Sequence, residues 1–398
     1  MKSNVQVKTP PAAAPTSLPF YRPDIGEEEI AAVVETLRSG WLTVGPRTHE
    51  FEQAFGEYIG APHAVAVSSC TAALHLALDA LDLQPHDEVI TSTLTFTATG
   101  ATIIHAGARP VLVDCTPDTL NLDPADVARK ITARTRAIVP VHFAGHPAAM
   151  DDILALARSH QITVVEDAAH ALPASYRGRR IGTIGNVTAF SFYATKNLCA
   201  GEGGMLTTAD AAIVERLRTR RLHGMSRDAW RRYSSEGSWR YDVSYPGFKY
   251  NMTDTAAALG LVQLRRLPAM HQRRQELARQ YSELLAECAA LQLPVTLPDV
   301  EHAWHLYAVR LRPERLDIHR DGVIEELKAA GIASQVHFIP LHLHSFYRDA
   351  FGYRPEDFPV ASDAAETLLS LPFFTLMSDD DVRLVAVTLR RILDAHRR

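Results

Sequence analysis

The sequence is organised around residues 186–204, Asn186-Val-Thr-Ala-Phe-Ser-Phe-Tyr-Ala-Thr-Lys-Asn-Leu-Cys-Ala-Gly-Glu-Gly-Gly204. Residues 187–193 are β-branched and aromatic with an alternating pattern, which is typical of a buried strand. The glycines near the end of the segment allow a sharp turn before a second predicted strand, residues 205–208. Lys196 is therefore predicted at a strand end beside a glycine-rich turn. Most lysines in such a place are solvated surface charges, so its role depends on the other segments.

The same alternation of strands and helices precedes this segment. Short apolar runs separated by helical patterns predict strands at residues 64–67, 88–91, 110–113, 137–142 and 162–165. Strands and helices that alternate at this spacing favour right-handed crossovers. The sequence therefore predicts an α/β fold in which helices cover both faces of a mostly parallel sheet. In such sheets, chemistry collects at the carboxyl ends of the strands.

The pattern changes after a long predicted helix near residues 277–285. A strand at 305–311, a helix at 321–330, a strand at 334–339 and helices at 363–369 and 379–395 predict a small α+β domain. We therefore expect a flexible tail rich in Ala and Pro at residues 1–17, a large domain at 18–280 and a small C-terminal domain at 281–398.

The composition is that of a soluble globular protein. Of the 398 residues, 46% are apolar and 22% are charged, and the net charge of −5 gives no basic field for nucleic acid. The four cysteines are far apart and match no metal-ligand spacing, which fits a reducing compartment. No apolar run is long enough to span a bilayer. We expect a cytoplasmic protein with no metal site and no nucleic-acid or membrane partner.

Residues 68–73, Ser68-Ser-Cys-Thr-Ala-Ala73, open a predicted helix directly after a strand. The free backbone N–H groups and the dipole of a helix start suit a phosphate. The signal is weak by itself, because Ser69 could be only an N-cap.

The strand that ends in Glu166 and Asp167 is unusual, because an unpaired buried charge costs several kcal/mol. Asp167 therefore needs a cationic partner, which a protonated ring nitrogen or a nearby arginine would supply. His170 follows within one helical turn and could lie beside the same ring. Phe96, after another strand, is either a core residue or a stacking platform for a planar ring.

Together these segments offer a phosphate cradle, an aromatic face, a carboxylate for a ring nitrogen and a lysine, with Ser191 on the same strand as Lys196. That combination describes a pocket for pyridoxal 5'-phosphate. The lysine bonds covalently to the aldehyde of the cofactor. The carboxylate keeps the ring nitrogen protonated, so that the ring can accept an electron pair.

The sequence resembles the DegT/DnrJ/EryC1/StrS family of sugar-nucleotide aminotransferases, which have fold type I. The resemblance runs from about residue 18 to the C-terminus. The segments that carry it are Gly40-Trp-Leu-Thr-Val-Gly-Pro46, Val67-Ser-Ser-Cys-Thr-Ala-Ala-Leu74, Glu166-Asp-Ala-Ala-His-Ala171, Phe190-Ser-Phe-Tyr-Ala-Thr-Lys-Asn197, Gly201-Glu-Gly-Gly204, Tyr250-Asn-Met-Thr-Asp254 and Val336-His-Phe-Ile-Pro-Leu-His342.

The resemblance implies a role for each matching residue. Lys196 would bind the cofactor covalently and Asp167 would face the pyridine nitrogen. His170 and Phe96 would lie at the ring. The residues implied for the phosphate are Thr71, Ala72 and Ser191, with Asn251 reaching the phosphate in the neighbouring subunit. The last point implies a homodimer with shared active sites.

The resemblance also implies the reaction, transfer of an amino group from glutamate to a nucleotide-linked 4-keto sugar on a UDP or dTDP carrier. The loop at residues 223–241 and the motif Pro246-Gly-Phe-Lys-Tyr-Asn251 resemble the subgroup that includes the enzyme of UDP-4-amino-4-deoxy-arabinose synthesis. Such enzymes serve lipopolysaccharide or antibiotic sugar biosynthesis. The candidate substrate residues are Thr43, Arg231, His337 and His342.

Alternatives remain at this point. The loop with Arg231 is equally well explained as a solvated surface loop, and lone histidines are usually structural. The amino group could go to a 3-keto sugar, or the chain could be a paralogue that binds the cofactor without catalysis. A dehydratase of the same family has histidine in place of the lysine, so Lys196 argues against that activity.

Overall fold

The computed structural model describes residues 17–225 and 242–398. Its helices are α1 (Glu27–Ser39), α2 (Pro46–Ile59), α3 (Cys70–Asp79), α4 (Thr97–His105), α5 (Pro124–Lys130), α6 (Met150–His160), α7 (Ala211–Arg220), α8 (Asp254–Leu285), α9 (Arg320–Ala329), α10 (Ser345–Phe351), α11 (Pro359–Thr367) and α12 (Asp379–Ala395). Its strands are β1 (His63–Val67), β2 (Glu88–Ser92), β3 (Arg109–Val113), β4 (Thr135–Val139), β5 (Thr163–Asp167), β6 (Ser175–Tyr176), β7 (Arg179–Arg180), β8 (Val187–Ser191), β9 (Gly204–Thr208), β10 (Leu291–Gln292), β11 (Val300–Glu301), β12 (Tyr307–Leu311) and β13 (Leu368–Leu371).

The main sheet has seven strands in the order β1-β9-β8-β5-β4-β2-β3. Every neighbouring pair from β8 to β3 is parallel, and β9 alone runs antiparallel to both of its neighbours. The predicted α/β fold with a mostly parallel sheet is confirmed. The carboxyl ends of β1, β2, β4, β5 and β8 consequently lie along the same edge.

Both faces of this sheet are covered, which is why its strands are apolar on both sides. Val164 packs into the core formed with α2, α6 and α8, where Phe55 is fully buried. Its neighbour Val165 faces the opposite core, formed with α3, α4 and α7 around Leu76. Burying a side chain of this size stabilises the fold by about 1.5–3 kcal/mol. The alternation along each strand thus assigns successive residues to opposite layers.

A second, antiparallel sheet in the order β10-β12-β13 forms the C-terminal core. Helix α8 joins the two cores, because Met270 packs in the large core and Leu277 in the small one. We propose the domain boundary near residue 280, within this helix. Neither α8 nor any other helix of the described residues is long and apolar enough to cross a membrane.

The first described residues are attached to distant parts of the chain. Leu18 pairs with Ile332, and its N–H donates to the Gly331 carbonyl at 2.7 Å. The Tyr21 hydroxyl donates to the carbonyl oxygen of Lys196 at 3.4 Å. This N-terminal segment, residues 18–21, is called the N-terminal strap, and it contacts both the C-terminal core and the loop that carries Lys196.

Two local predictions in the C-terminal region are wrong. Residues 334–339 do not form a strand, since only Gln335 makes an isolated pairing, with Ser370. The helix predicted at residues 363–369 is α11, which ends at Thr367 and is followed by β13. All four residues of β13 are buried. A short run that is buried on both sides has no periodicity to separate strand from helix.

Candidate active site

The carboxyl edge of the main sheet surrounds a cavity of about 1060 Å³, measured with its opening to solvent. The loops after β1, β2, β5 and β8 supply most of its wall, and residues from the C-terminal region close one side. The structure brings these predicted site residues to the cavity: Thr71, Phe96, Asp167, His170, Ser191, Lys196 and His337. Segments that are far apart in sequence therefore meet in one place.

The start of α3 forms an anion site. The first N–H groups of a helix, here those of Cys70 and Thr71, have no intrahelical acceptor and carry the positive end of the dipole. The Ser69 hydroxyl caps the helix by accepting the Ala72 N–H at 3.0 Å. Gly204 packs so closely against this turn that a Cβ there would lie 2.6 Å from the Ser69 carbonyl. Only a glycine at position 204 allows this close packing, and the free N–H groups at the helix start suit a phosphate.

Ser191 adds a hydroxyl to the same anion site. It is the last residue of β8 and pairs with Gly204, which places it beside the helix start. Its Oγ accepts the Tyr193 N–H at 3.3 Å, so its own hydrogen is available for an anion. Ser191 and Thr71 both line the cavity, whereas the Ala72 side chain is buried and its N–H is used by the cap.

Asp167 ends β5 and is only 4% exposed. Its Oδ2 accepts the Thr99 hydroxyl at 2.7 Å, and its Oδ1 accepts the Ala169 N–H at 3.1 Å. Burial raises the pKa of Asp167, although both hydrogen bonds and the charge of Lys196 act in the opposite direction. No lysine, arginine or histidine nitrogen of the described residues lies within 4.0 Å of the carboxylate. This buried carboxylate thus lacks a close cationic partner within the described chain.

Lys196 lies in the turn that follows β8. Its N–H donates to the Tyr193 carbonyl at 2.9 Å, which fixes the turn. Burial lowers the pKa of Lys196 to about 8, while the nearby Cys70 and Asp167 act in the opposite direction. At pH 7 about a tenth of such a lysine is uncharged. Lys196 can therefore act as a nucleophile and as a proton carrier near neutral pH.

Two neighbouring imidazoles, tilted at 42° to each other, form one wall of the cavity. The ring centroids of His170 and His305 are 4.3 Å apart, and His170 also stacks on Phe338 at 5.7 Å. Burial lowers the pKa of both imidazoles well below the ordinary value. His305 Nδ1 lies 3.2 Å from Oδ1 of Asn197, whose amide nitrogen donates to two backbone carbonyls. Asn197 Oδ1 is therefore the acceptor, which assigns the proton of His305 to Nδ1.

His337 and Phe96 border the cavity from opposite domains. His337 Nδ1 lies 3.0 Å from the Ser370 Oγ, its ring stacks on Phe20 at 5.4 Å, and burial lowers its pKa to about 4. Phe96 is 57% exposed, and its ring lies 5.8 Å from Phe338. An exposed aromatic face at a cavity can stack on a planar ring.

Besides Ala72, three of the predicted site residues that the structure describes do not line the cavity. His342 is buried, and its two nitrogens lie 2.8 Å from the Thr93 hydroxyl and 3.0 Å from the Ser362 hydroxyl, which is a structural role. Thr43 and Asn251 are close neighbours, 3.5 Å apart between Oγ1 and Nδ2, and neither is among the described residues that line the cavity. Arg231 lies outside the described residues.

Several residues that line the cavity were not predicted from the sequence. Thr99 could have been found, because it follows Thr95 at helical spacing in the segment after β2. His305 and Phe338 gave no local signal, since only the docking of the C-terminal region brings them to the cavity. Among the described residues, no group of three His, Cys, Asp or Glu side chains could hold a metal ion.

The donor set fits pyridoxal 5'-phosphate. The helix start and Ser191 suit its phosphate, the carboxylate without a close cation suits a protonated ring nitrogen, and the Lys196 amine suits its aldehyde. The His170 Nδ1 is buried without a hydrogen-bond partner among the described residues, which leaves it available to a bound group. The fold and this site define a pyridoxal phosphate-dependent aminotransferase of fold type I.

Comparison with known proteins identifies the group more closely. Residues 23–390 match the model of the DegT/DnrJ/EryC1/StrS aminotransferase family, and the chain belongs to that family. It is 51% identical over 380 residues to the uncharacterised protein MJ1066 of Methanocaldococcus jannaschii, covering 96% of this chain and 98% of MJ1066. It is also 51% identical over 377 residues to the spore coat polysaccharide biosynthesis protein SpsC of Bacillus subtilis, covering 94% of this chain and 97% of SpsC.

The fold agrees with solved structures of the same group. The putative sugar aminotransferase Spr1654 from Streptococcus pneumoniae superposes with a TM-score of 0.90 and 37% identity, covering 95% of this chain and 99% of Spr1654. Spr1654 has been solved with the cofactor in both its pyridoxamine and its pyridoxal forms. The protein is accordingly a sugar aminotransferase that uses pyridoxal phosphate.

We propose a distinct task for each residue around the reaction centre. Pyridoxal phosphate, when bound, supplies an electron sink for the pair released at the substrate carbon. Asp167 would hold a positive charge on the ring nitrogen by ionic pairing in a buried site. Lys196 Nζ would accept the proton from the substrate carbon and return it, for which a pKa of about 8 is suited. His170 and Phe96 would supply ring surfaces for the cofactor to stack on.

Proposed function

We propose that the protein transfers an amino group from glutamate to the keto carbon of a nucleotide-linked 4-keto sugar, on a UDP or dTDP carrier. The main support for the aminotransferase reaction is that Lys196, Asp167 and the start of α3 line the same cavity. The choice of sugar rests on the resemblance of Pro246-Gly-Phe-Lys-Tyr-Asn251 to the subgroup that aminates at C4.

The composition of residues 223–241 supports a nucleotide carrier. Lys196 is the one lysine or arginine among the described residues that line the cavity, so a diphosphate needs cations from elsewhere. The sequence of residues 223–241 contains four arginines and two tryptophans, which suit a diphosphate and a base or sugar face. The likeness to SpsC, named for spore coat polysaccharide biosynthesis, supports a product that enters a polysaccharide.

The substrate assignment is tested with the enzyme in its amine form, prepared by treatment with glutamate. We expect the absorbance of the aldehyde form to return with UDP- or dTDP-linked 4-keto sugars, because only an accepted keto sugar removes the amino group. A panel of UDP-, dTDP- and GDP-linked 3-keto and 4-keto sugars makes the comparison, with the Lys196→Ala variant as the control for reaction in free solution.

Each other result in the panel has a defined meaning. Recovery of the aldehyde form with 3-keto sugars alone would show amination at C3 in place of C4. The proposed aminotransferase reaction would still stand. Recovery of the aldehyde form with GDP-linked sugars alone would contradict the proposal of a UDP or dTDP carrier. A protein that accepts no amino group from glutamate but does so from glutamine would change the donor. Failure with every sugar and both donors would favour a paralogue that binds the cofactor without catalysis.

We also propose that the working unit is a homodimer in which Asn251 reaches the cofactor phosphate of the neighbouring subunit. The support is that Asn251 is partly exposed and is not among the described residues lining the cavity of its own chain. Its side chain contacts those of Lys249 and Thr43 instead. A residue in that position is available to a second copy of the chain.

Mixing two inactive variants tests the shared site. A Lys196→Ala protomer and an Asn251→Ala protomer form a heterodimer with one complete site, so full exchange of subunits should restore roughly a quarter of the wild-type activity. Lys196→Ala mixed with Asp167→Asn is the matched control and should restore none, because both residues act in the same cavity. If the first mixture is as inactive as the control after proven exchange, Asn251 acts within its own chain or not at all.

A further inference from the structure

Two buried threonines connect the loop after β2 to the carboxylate of Asp167. Thr99 lies in the first turn of α4, and its hydroxyl is 2.7 Å from Asp167 Oδ2. The Thr95 hydroxyl lies 2.8 Å from the Thr99 hydroxyl. Both threonines are at most 2% exposed and both line the cavity. The three side chains thus form a continuous hydrogen-bonded chain that starts at the cavity wall.

The charge of Asp167 determines which group donates in each of these hydrogen bonds. An ionised carboxylate only accepts hydrogen bonds, so Thr99 donates its single hydroxyl hydrogen to Asp167. Thr95 must then donate to Thr99. Each bond polarises the next, which strengthens the final donor in a water-poor site.

We propose that Thr99, supported by Thr95, is a positioning residue that orients the Asp167 carboxylate and favours its ionised form. The Ala169 N–H holds the other oxygen at 3.1 Å, so the two donors fix the plane of the carboxylate. The orientation of the Asp167 carboxylate toward the ring nitrogen is then fixed before the cofactor binds. This role rests on the aminotransferase reaction of the family and is independent of the sugar.

Other groups that act on Asp167 come from three further elements. Lys196 follows β8, His142 follows β4, and Cys70 begins α3. Lys196 and His142 lower the pKa of Asp167, as the Thr99 hydrogen bond does, whereas burial raises it. Removing the Thr99 hydroxyl removes one of the interactions that lower the pKa of Asp167. The pKa should therefore rise.

The test replaces Thr99 with valine, which has nearly the same shape but no hydroxyl. We expect the titration of Asp167 in the cofactor-free protein to shift upward by about one pH unit, since a hydrogen bond to a charged group is lost. Infrared difference spectra follow the carboxylate, with Asp167→Asn to assign its band. In the loaded enzyme we expect kcat to fall about tenfold while the KM for the amino donor is unchanged.

Three further variants make the result specific. Thr99→Ser keeps the donor and should restore the wild-type titration and kcat. Thr95→Val should shift the titration in the same direction by a smaller amount. Thr102→Val is the matched control, because Thr102 is equally buried in α4 and its hydroxyl, as far as the described residues show, bonds to the Thr99 carbonyl at 3.1 Å and not to Asp167. An unchanged titration in Thr99→Val, or an equal shift in Thr102→Val, would overturn the proposal.

Discussion

Replacing Lys196 with alanine should lower the rate of transamination at least about a thousandfold. The variant loses both the amine that bonds to the cofactor and the group that carries the proton. No neighbour replaces it, because Lys196 is the one lysine among the described residues that line the cavity. Rates with glutamate and an accepted keto sugar measure the loss. Lys328→Ala is the control, since Lys328 forms an exposed pair with Glu325 and should keep full activity.

A covalent label checks the same residue without reference to turnover. Borohydride reduction of the wild-type enzyme should fix the cofactor on the peptide that contains Lys196, and the Lys196→Ala protein should remain unlabelled. A label on another lysine, or a protein that never becomes yellow on reconstitution, would remove Lys196 from the role assigned to it.

Changing Asp167 to asparagine should reduce turnover by about a hundredfold or more while cofactor binding is largely retained. The neutral amide can still accept the Thr99 hydroxyl, but it supplies no negative charge to hold a proton on the ring nitrogen. The phosphate site at the start of α3 does not involve Asp167, so the cofactor stays bound. Absorbance titration and steady-state rates separate the two effects.

The matched control for this variant is Asp114→Asn. Asp114 is also a buried carboxylate, and it accepts backbone N–H groups from Val360 and Ala361 away from the cavity. That change should lower the stability of the protein but leave the turnover of the folded enzyme near normal. Near-normal turnover in Asp167→Asn itself would show that Asp167 takes no part in the reaction.

The sequence was sufficient for the parts of the molecule that follow from local pattern. Alternating strands and helices predicted the parallel sheet, and the carboxyl ends of parallel strands necessarily share an edge. For this reason Asp167, Ser191 and Lys196 could be placed together before their distances were known. Their residue types then pointed to the cofactor, because few other ligands need a lysine and a buried carboxylate in one pocket.

The remaining parts of the site depend on contacts between distant segments. His305 and His337 reach the cavity only because the C-terminal core docks beside the main sheet, and no local pattern encodes that distance. His342 lies five residues after His337 in the same motif, yet its ring is held by Thr93 and Ser362. The sequence could not distinguish two histidines whose difference lies in what packs against them.

The N-terminal strap has a consequence for the order of folding. Leu18 pairs with Ile332, and Tyr21 bonds to the loop of Lys196. During synthesis the strap leaves the ribosome long before the segment at residue 332 is made. The pairing of Leu18 with Ile332 cannot form until then. Contacts between positions so far apart in sequence form slowly, because the intervening chain must first be ordered. The strap is synthesised early but should form its native contacts late. The hydrogen bond from Tyr21 to the Lys196 loop should therefore become fixed only after the C-terminal core has folded and Leu18 has paired with Ile332.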